Sequence, residues 1–280
     1  MRICCFISAS ALAVALLGGG CTADAQQSFY GRIRSQNASM TEVQPSWMGP
    51  LVQSDPRLTQ AVRVSVADFN SPGAQTISYG NNHGVSFLGG RRFQFDFNPP
   101  SYFRNHSSVL KDGFGNAITE VKYRIASGNA EHGNFAVTAI VAQGFARGAS
   151  QNGMQTSYYC PKLAVGKEWG RFDLQSTLSG VLPTGKIATQ GRAIEWNGTA
   201  QVHPYSRVWL DVEDNAALFV GGPLEGDLQN FVTPAAFYAI KRKEWAATHA
   251  VVVFDAGMQI ATSQFHQCNH NLISEMRILF

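Results

Sequence analysis

The sequence predicts an all-β protein, a closed antiparallel transmembrane β-barrel preceded by a cleaved signal peptide, and three observations lead there. Most of the chain alternates apolar and polar residues with the period of two that indicates strands. The alternating runs mostly have about 12 to 14 residues, whereas soluble strands have ~5–6 and tilted transmembrane strands need roughly 9–11. The chain also stops on an alternating run whose last residue is Phe280.

The N-terminal residues predict export through a Sec-type signal peptide. A basic start precedes an apolar run over 3–17, and Ala23-Asp24-Ala25 supplies an A-x-A cleavage site. Residues 1–25 therefore fit a secretory signal, with the mature chain starting at Gln26. A lipoprotein signal ending at Cys21 and an uncleaved anchor are the alternatives, but three glycines precede Cys21 and the apolar run is short for an anchor.

Composition excludes several classes of protein. Charged residues make up 15% of the chain, against roughly 25% in typical soluble domains. The content of 45% hydrophobic and 11% aromatic residues argues against disorder. The formal net charge of +3 is too small and too evenly spread for a nucleic-acid-binding surface. After cleavage Cys160 and Cys268 remain, either as a disulfide or, as we expect, as two isolated buried thiols.

The predicted barrel occupies residues 58–280, and residues 26–57 form an irregular, Pro-containing lead-in or plug before it. One strand shows the alternation clearly, because Phe172, Leu174 and Leu178 share one face while Asp173 and Gln175 share the other. We predict twelve strands, or ten if the short second run is not a strand. They lie near 58–70, 76–80, 84–97, 114–126, 134–146, 157–168, 171–182, 192–204, 207–219, 229–242, 249–262 and 269–280.

The connections between the predicted strands alternate in length, as in outer-membrane barrels with long outer loops and short periplasmic turns. Short turns fall near 169–170 and 205–206. Longer, Gly-rich connections fall at 98–113, 147–156, 183–191 and 220–228. Aromatic residues at strand ends are typical of an interfacial girdle, and Trp169, Tyr205 and Trp245 are the candidates.

The last strand predicts how the barrel closes. Phe280, Ile278 and Met276 alternate with Leu279 and Arg277. This run resembles the terminal strand of bacterial outer-membrane barrels, in which an outward-facing Phe is read by the barrel-assembly machinery. We expect this strand to pair with the first one, since an unpaired edge would otherwise face lipid.

Four short motifs resemble the MetA-pathway phenol-degradation family of outer-membrane proteins over roughly residues 58–280. They are Asp112-Gly113-Phe114-Gly115-Asn116, Lys122-Tyr123-Arg124, Val181-Leu182-Pro183-Thr184-Gly185 and Thr233-Pro234. The chain departs from the family at Asn116, where an acidic residue is more usual, and in the loop 97–103. The resemblance implies a transporter of small, often hydrophobic, molecules, without naming the solute.

The candidate pore-lining residues are the charged members of the polar strand faces, taken as pointing inward. They are Arg92, Asp96, Glu120, Lys122, Arg124, Arg171, Asp173, Glu195, Asp211 and Glu213. For the pair Asp211 and Glu213 two interpretations stand: a cation-attracting ring in a pore, or, as we prefer, two solvated carboxylates paired with nearby Arg.

No motif predicts catalysis, a metal or a cofactor. His266, Cys268 and His270 have ligand-like spacing but no fourth partner, and the G-x-S-x-G elbow of hydrolases does not occur. We therefore expect an outer-membrane channel of a Gram-negative bacterium, in contact with lipid, for passive passage of a small solute. The family resemblance implies that hydrophobic or aromatic solutes are candidates. A barrel enzyme acting on lipids and a secreted soluble β-protein that binds a ligand are the alternatives.

Overall fold

The computed structural model describes residues 31, 35–40, 42–71, 73–80, 82–107, 109–146, 152–240 and 250–280. The predicted signal peptide over 1–25 and the girdle candidate Trp245 lie outside these ranges. Within them, no helix is long and apolar enough to span a membrane.

Fifteen strands make one sheet. In chain order they are β1 (Ala61–Ser71), β2 (Ala74–Tyr79), β3 (Gly84–Leu88), β4 (Phe93–Asn98), β5 (Tyr102–His106), β6 (Gly113–Phe114), β7 (Ala117–Gly128), β8 (Phe135–Phe145), β9 (Tyr158–Trp169), β10 (Phe172–Pro183), β11 (Arg192–Tyr205), β12 (Val208–Val220), β13 (Leu228–Ile240), β14 (Val251–Ala261) and β15 (His270–Leu279). A single helical turn (Ile187–Gln190) and a 3-10 turn (Ala130–His132) lie in connections.

The sheet closes into an antiparallel barrel of twelve strands, which confirms the predicted fold class. β1 pairs with β15 in a register that runs from Ala61 opposite Leu279 to Asn70 opposite His270. The first strand therefore pairs with the last, as predicted. Three barrel strands are each built from two pieces: β2 with β3, β4 with β5, and β6 with β7.

The boundaries predicted for the second and third strands are wrong, although the total of twelve is right. The predicted strand 84–97 contains a turn at 89–92, where Gly90 takes a φ of +105° that favours glycine. The predicted loop 98–113 contains β5. Pro99 and Pro100 separate β4 from β5, because proline has no N–H to give to the ladder.

The two faces of the barrel differ in polarity. Outward positions are apolar and exposed, as with Phe172 at 42% and Leu178 at 54% exposure. Their inward neighbours Asp173 and Thr177 are 3% and 2% exposed. In the last strand Leu272 faces outward and Arg277 inward. A lipid-facing band around a polar interior has this pattern.

The barrel has two distinguishable ends. At the turn end, β9–β10 and β11–β12 are joined by the short turns 170–171 and 206–207, and the exposed Trp169 and Tyr205 lie beside them. At the loop end most connections are longer, up to the one over 146–157. The connection 72–73 at the loop end is a short exception, and the connection over 241–250 at the turn end is a long one.

Candidate functional site in the barrel lumen

A hairpin of irregular chain over 42–60, called here the inner segment, enters the barrel at the turn end. Its two arms are tied together because Gln44 Nε2 donates to Leu58 O at 2.8 Å and Leu58 N donates back to Gln44 Oε1 at 3.1 Å. At the turn end Asn129 Nδ2 donates to Glu42 O at 2.9 Å. The tip of the hairpin lies inside the lumen at Leu51 to Gln53.

Glu213 of β12 holds this tip. Its carboxylate accepts from the backbone N–H groups of three consecutive residues, Leu51, Val52 (3.0 Å) and Gln53 (3.1 Å). The Glu213 side chain is completely buried. Since a buried carboxylate needs such donors, Glu213 and the tip satisfy each other.

Arg277 of β15, three strands along the wall from β12, holds the first arm of the hairpin, which leads up to the tip. Its guanidinium donates to Gly49 O at 2.7 Å and to Pro50 O at 2.8 Å. Its Nε lies 2.7 Å from Asp255 and 2.6 Å from Glu275, so both neighbouring carboxylates face this one cation. A side chain on the closing strand thus links the barrel wall to the inner segment.

Three strands hold the second arm of the hairpin, which leads away from the tip at residues 54–56. Lys122 Nζ of β7 donates to Asp55 O at 3.2 Å, and Thr138 Oγ1 of β8 donates to Pro56 O. Lys162 of β9 donates to Ser54 Oγ at 3.0 Å. The inner segment is therefore bonded to the wall on several sides, which fixes it along the barrel axis.

The inner segment also makes apolar contacts with the barrel wall, at places where the wall residues are small. Met48 and Leu51 pack in a buried cluster with Phe237 and Trp209. A Cβ at Gly257 would come within 2.7 Å of Leu51 Cδ2. Glycine in a strand often marks such a close approach.

An ion pair lies within the inner segment. Arg57 Nη2 is 2.8 Å from Asp55 Oδ2, and the Arg57 N–H also donates to this carboxylate at 2.9 Å. Burial opposes ionisation, but the charge and hydrogen bonds of Arg57, with the charge of Lys122, outweigh it and hold the pKa of Asp55 below its ordinary value. The ion pair between Asp55 and Arg57 therefore stiffens the second arm of the inner segment.

The inner segment divides the lumen. A cavity of about 590 Å³ at the loop end, the loop-end cavity, has Val52–Ser54 of the tip in its lining. A cavity of about 450 Å³ at the turn end is lined by residues of 37–60 together with Val251, Leu279 and Phe280. A third cavity, of about 30 Å³, has Gly49 and Arg277 in its lining.

Seven of the ten candidate pore-lining residues are buried and point inward: Asp96, Glu120, Lys122, Arg124, Asp173, Asp211 and Glu213. Glu195 is half-buried and lines the loop-end cavity. Arg92 and Arg171 lie elsewhere, exposed in turns at the turn end, because β4 begins after Arg92 and β10 after Arg171.

Four of the buried candidates, Asp96, Glu120, Lys122 and Arg124, have partners close by. Glu120 lies 2.9 Å from Lys162 and 3.6 Å from Lys122. Lys122 also lies 3.9 Å from Asp96. Arg124 donates to the sulfur of Met40 at 3.3 Å. Asp96, Glu120, Lys122 and Lys162 thus form a network of charges on this part of the wall.

The preferred interpretation of Asp211 and Glu213 as solvated carboxylates is wrong, since they are 4% and 0% exposed. Sequence reasoning also missed Arg277 and Lys162. Both lie on inward faces, so the same alternation that selected the other candidates could have found them. Their bonds to backbone carbonyl and hydroxyl groups of the inner segment leave no sequence pattern.

The two cysteines are free thiols, Cys160 buried and Cys268 half-buried. His266 uses both ring nitrogens in local contacts, with Ser263 O and with Asn269 Oδ1, each at 3.0 Å. Among the described residues, no group of three or more His, Cys, Asp and Glu side chains is arranged to hold a metal ion.

Two solved structures have the same fold. An outer-membrane channel from Pseudomonas putida F1 matches with a TM-score of 0.53 and 10% identity, over 84% of this chain and 100% of that one. The NanC porin matches with a TM-score of 0.50 and 9% identity, over 79% of this chain and 98% of that one. No protein-family model matches the sequence, and no curated protein matches it. The chain therefore has the barrel fold of these two outer-membrane proteins, and the resemblance to the MetA-pathway family stays a prediction.

Proposed function

We propose that this protein is a channel of the bacterial outer membrane, for passive passage of a small solute, and that its own inner segment closes it. The observation that carries the proposal is a lumen with cavities of about 590 and 450 Å³ on either side of the inner segment. The apolar exterior supports a place in lipid, since an exposed apolar band would be unfavourable in water.

The orientation follows from the loops. Outer-membrane barrels have short periplasmic turns and longer outer loops, so the loop end faces outward and the inner segment enters from the periplasm. Phe280 and β15 at the turn end would then present the assembly signal to the periplasmic machinery. Solute enters the loop-end cavity and passes when the inner segment moves aside.

The charged interior supports weak ion selectivity. Positive Lys122, Lys162 and Arg277 lie beside negative Glu120, Asp255 and Glu275. Because the signs are mixed, the wall has no extended field of one charge that would favour cations or anions strongly.

A variant with residues 46–56 replaced by a Gly/Ser linker of equal length tests the proposal. We expect it to fold, to retain a mobility shift between heated and unheated gel samples, and to conduct ions in planar bilayers far more than the wild type. In a control variant the surface turn 223–226 is replaced by a Gly/Ser linker of its own length. This control should behave like the wild type, since that turn lies outside the lumen. A folded linker variant with no conductance and no solute flux into vesicles would refute the channel.

A further inference from the structure

The loop-end cavity has an unusual lining. Nine of its residues carry carboxamide groups, and they are contributed by the barrel wall, the loops and the inner segment. They are Gln53, Asn105, Asn152, Asn197, Asn215, Gln229, Gln259, Gln267 and Asn271. A carboxamide both donates and accepts hydrogen bonds, as a hydroxyl group does, so this lining matches a solute with many hydroxyls.

Hydrogen bonds fix the orientation of several of these amides. Asn215 Nδ2 donates to Asn197 Oδ1 at 2.9 Å, and Gln229 Oε1 accepts from the backbone N–H of Gln267 at 2.9 Å. One such bond uses only part of the capacity of a carboxamide, which has two donor hydrogens and two acceptor lone pairs. Asn197, Asn215 and Gln229 are thus held in place with capacity left for a ligand.

The lining has no net charge. Lys162 and Glu195 are its two charged residues. Lys162 is engaged by Glu120 at 2.9 Å, and Glu195 accepts from Ser179 Oγ at 3.0 Å. With opposite charges each held by protein partners, the cavity favours an uncharged ligand.

Aromatic rings accompany the amides. Phe69, Phe103 and Phe231 line the same cavity. Ligand sites commonly combine aromatic walls with a few polar groups that set orientation, in cavities of roughly 300–1,000 Å³, and this one has about 590 Å³. A sugar can pack the C–H groups on its face against the phenylalanine rings and direct the hydroxyl groups on its edge to the amides.

We propose that the loop-end cavity binds an uncharged, polyhydroxylated solute of the saccharide class. The inference rests on the proposed channel function, of which it names the solute. A hydrophobic or aromatic solute, as the family resemblance implies, would displace water from the amides without replacing its hydrogen bonds. A site built to bond hydroxyl groups disfavours such a ligand.

Equilibrium binding to the full-length, folded protein in detergent tests this inference, with sucrose and raffinose as probes and benzoate and phenol as comparators. We expect saturable binding of the two saccharides, detected by calorimetry and by saturation-transfer NMR, and none of the comparators. Binding of benzoate or phenol in preference to the saccharides, or binding of none of the four, would overturn it.

A double variant, Asn197→Leu with Gln259→Met, locates the site. It removes two lining amides at nearly constant volume, and we expect saccharide affinity to fall at least roughly tenfold. Gln143→Met is the matched control, because Gln143 lies on the outward face of β8. Unchanged affinity in the double variant would place binding elsewhere and overturn the inference.

Failure of the channel and failure of this inference are distinguishable. If the linker variant conducts while the protein binds no saccharide, the channel stands and the solute class is wrong. If saccharide binding persists but no variant conducts, the cavity is a saccharide site on a barrel that is not a channel.

Discussion

Glu213→Gln should open the barrel. The substitution keeps the shape of the side chain but replaces one acceptor oxygen with an NH₂ donor. In the structure one carboxylate oxygen serves Leu51 and Val52, while the other serves Val52 at 3.2 Å and Gln53 at 3.1 Å. At least one buried N–H therefore loses its acceptor, and the remaining bonds lose the strength that a charged partner gives.

The free energy that the closed arrangement loses can be worked out from these hydrogen bonds. An unsatisfied buried donor costs about 1–3 kcal/mol, and a bond to a charged group exceeds a neutral one by roughly 1 kcal/mol. The closed arrangement should thus lose about 2–4 kcal/mol relative to one with the inner segment displaced. That corresponds to a change of about 30-fold to 700-fold in the open-to-closed ratio.

Single-channel recording in planar bilayers measures this ratio as the fraction of time spent open. Asp211→Asn is the matched control, because Asp211 also faces inward on β12 but makes no hydrogen bond to the inner segment among the described residues. We expect Glu213→Gln to raise the open fraction and the control to leave it near the wild-type value. Equal open fractions in the two variants would refute the assignment of Glu213 as the residue that holds the tip.

Three further variants test other parts of the structure. Arg277→Met leaves Asp255 and Glu275 without their cation, so we expect a loss of about 3–5 kcal/mol in folded stability, seen as a lower temperature of the gel-mobility shift; an unchanged temperature would contradict a structural role. Leu178→Arg places a charge in the lipid-facing band and should cost about 2–4 kcal/mol in urea titrations of the barrel in vesicles, whereas no cost would mean that this face does not meet lipid. Phe280→Ala should reduce the amount of folded barrel in the outer-membrane fraction but not refolding in detergent, and equal amounts in the membrane would argue against its role in assembly.

Alternation along single strands was enough to predict the barrel and the direction of most side chains. In β10, Asp173 and Gln175 point inward and Leu174 and Leu178 outward, as their spacing indicates. The rule works because a closed sheet between lipid and a polar lumen imposes opposite polarity on successive residues. The rule failed around residues 76–106, where two neighbouring barrel strands, β2 with β3 and β4 with β5, are each interrupted. Alternation alone also does not show the turn at Gly89-Gly90.

The position of the inner segment could not be predicted. Residues 42–60 have no periodic pattern, and their main contacts are with residues far away in sequence, as between Gly49 and Arg277. The wall side chains bond to backbone groups there, which every sequence possesses. Glu213 was therefore recognised as inward-facing, while its partners, the N–H groups of the tip, carry no sequence signature.

Single-channel recording on a barrel with a reversibly tethered inner segment tests most directly whether ions cross only when that segment moves. Thr177 Oγ1 lies 3.4 Å from Ser54 O, so cysteines at these two positions, with Cys160→Ser, Cys268→Ser and Glu213→Gln, can be joined by a short, reducible bifunctional thiol reagent. We predict that the tethered protein is silent and that cleavage of the tether by a reductant restores conductance. The same conductance before and after cleavage would show that ions pass by another route and that the inner segment does not close the channel.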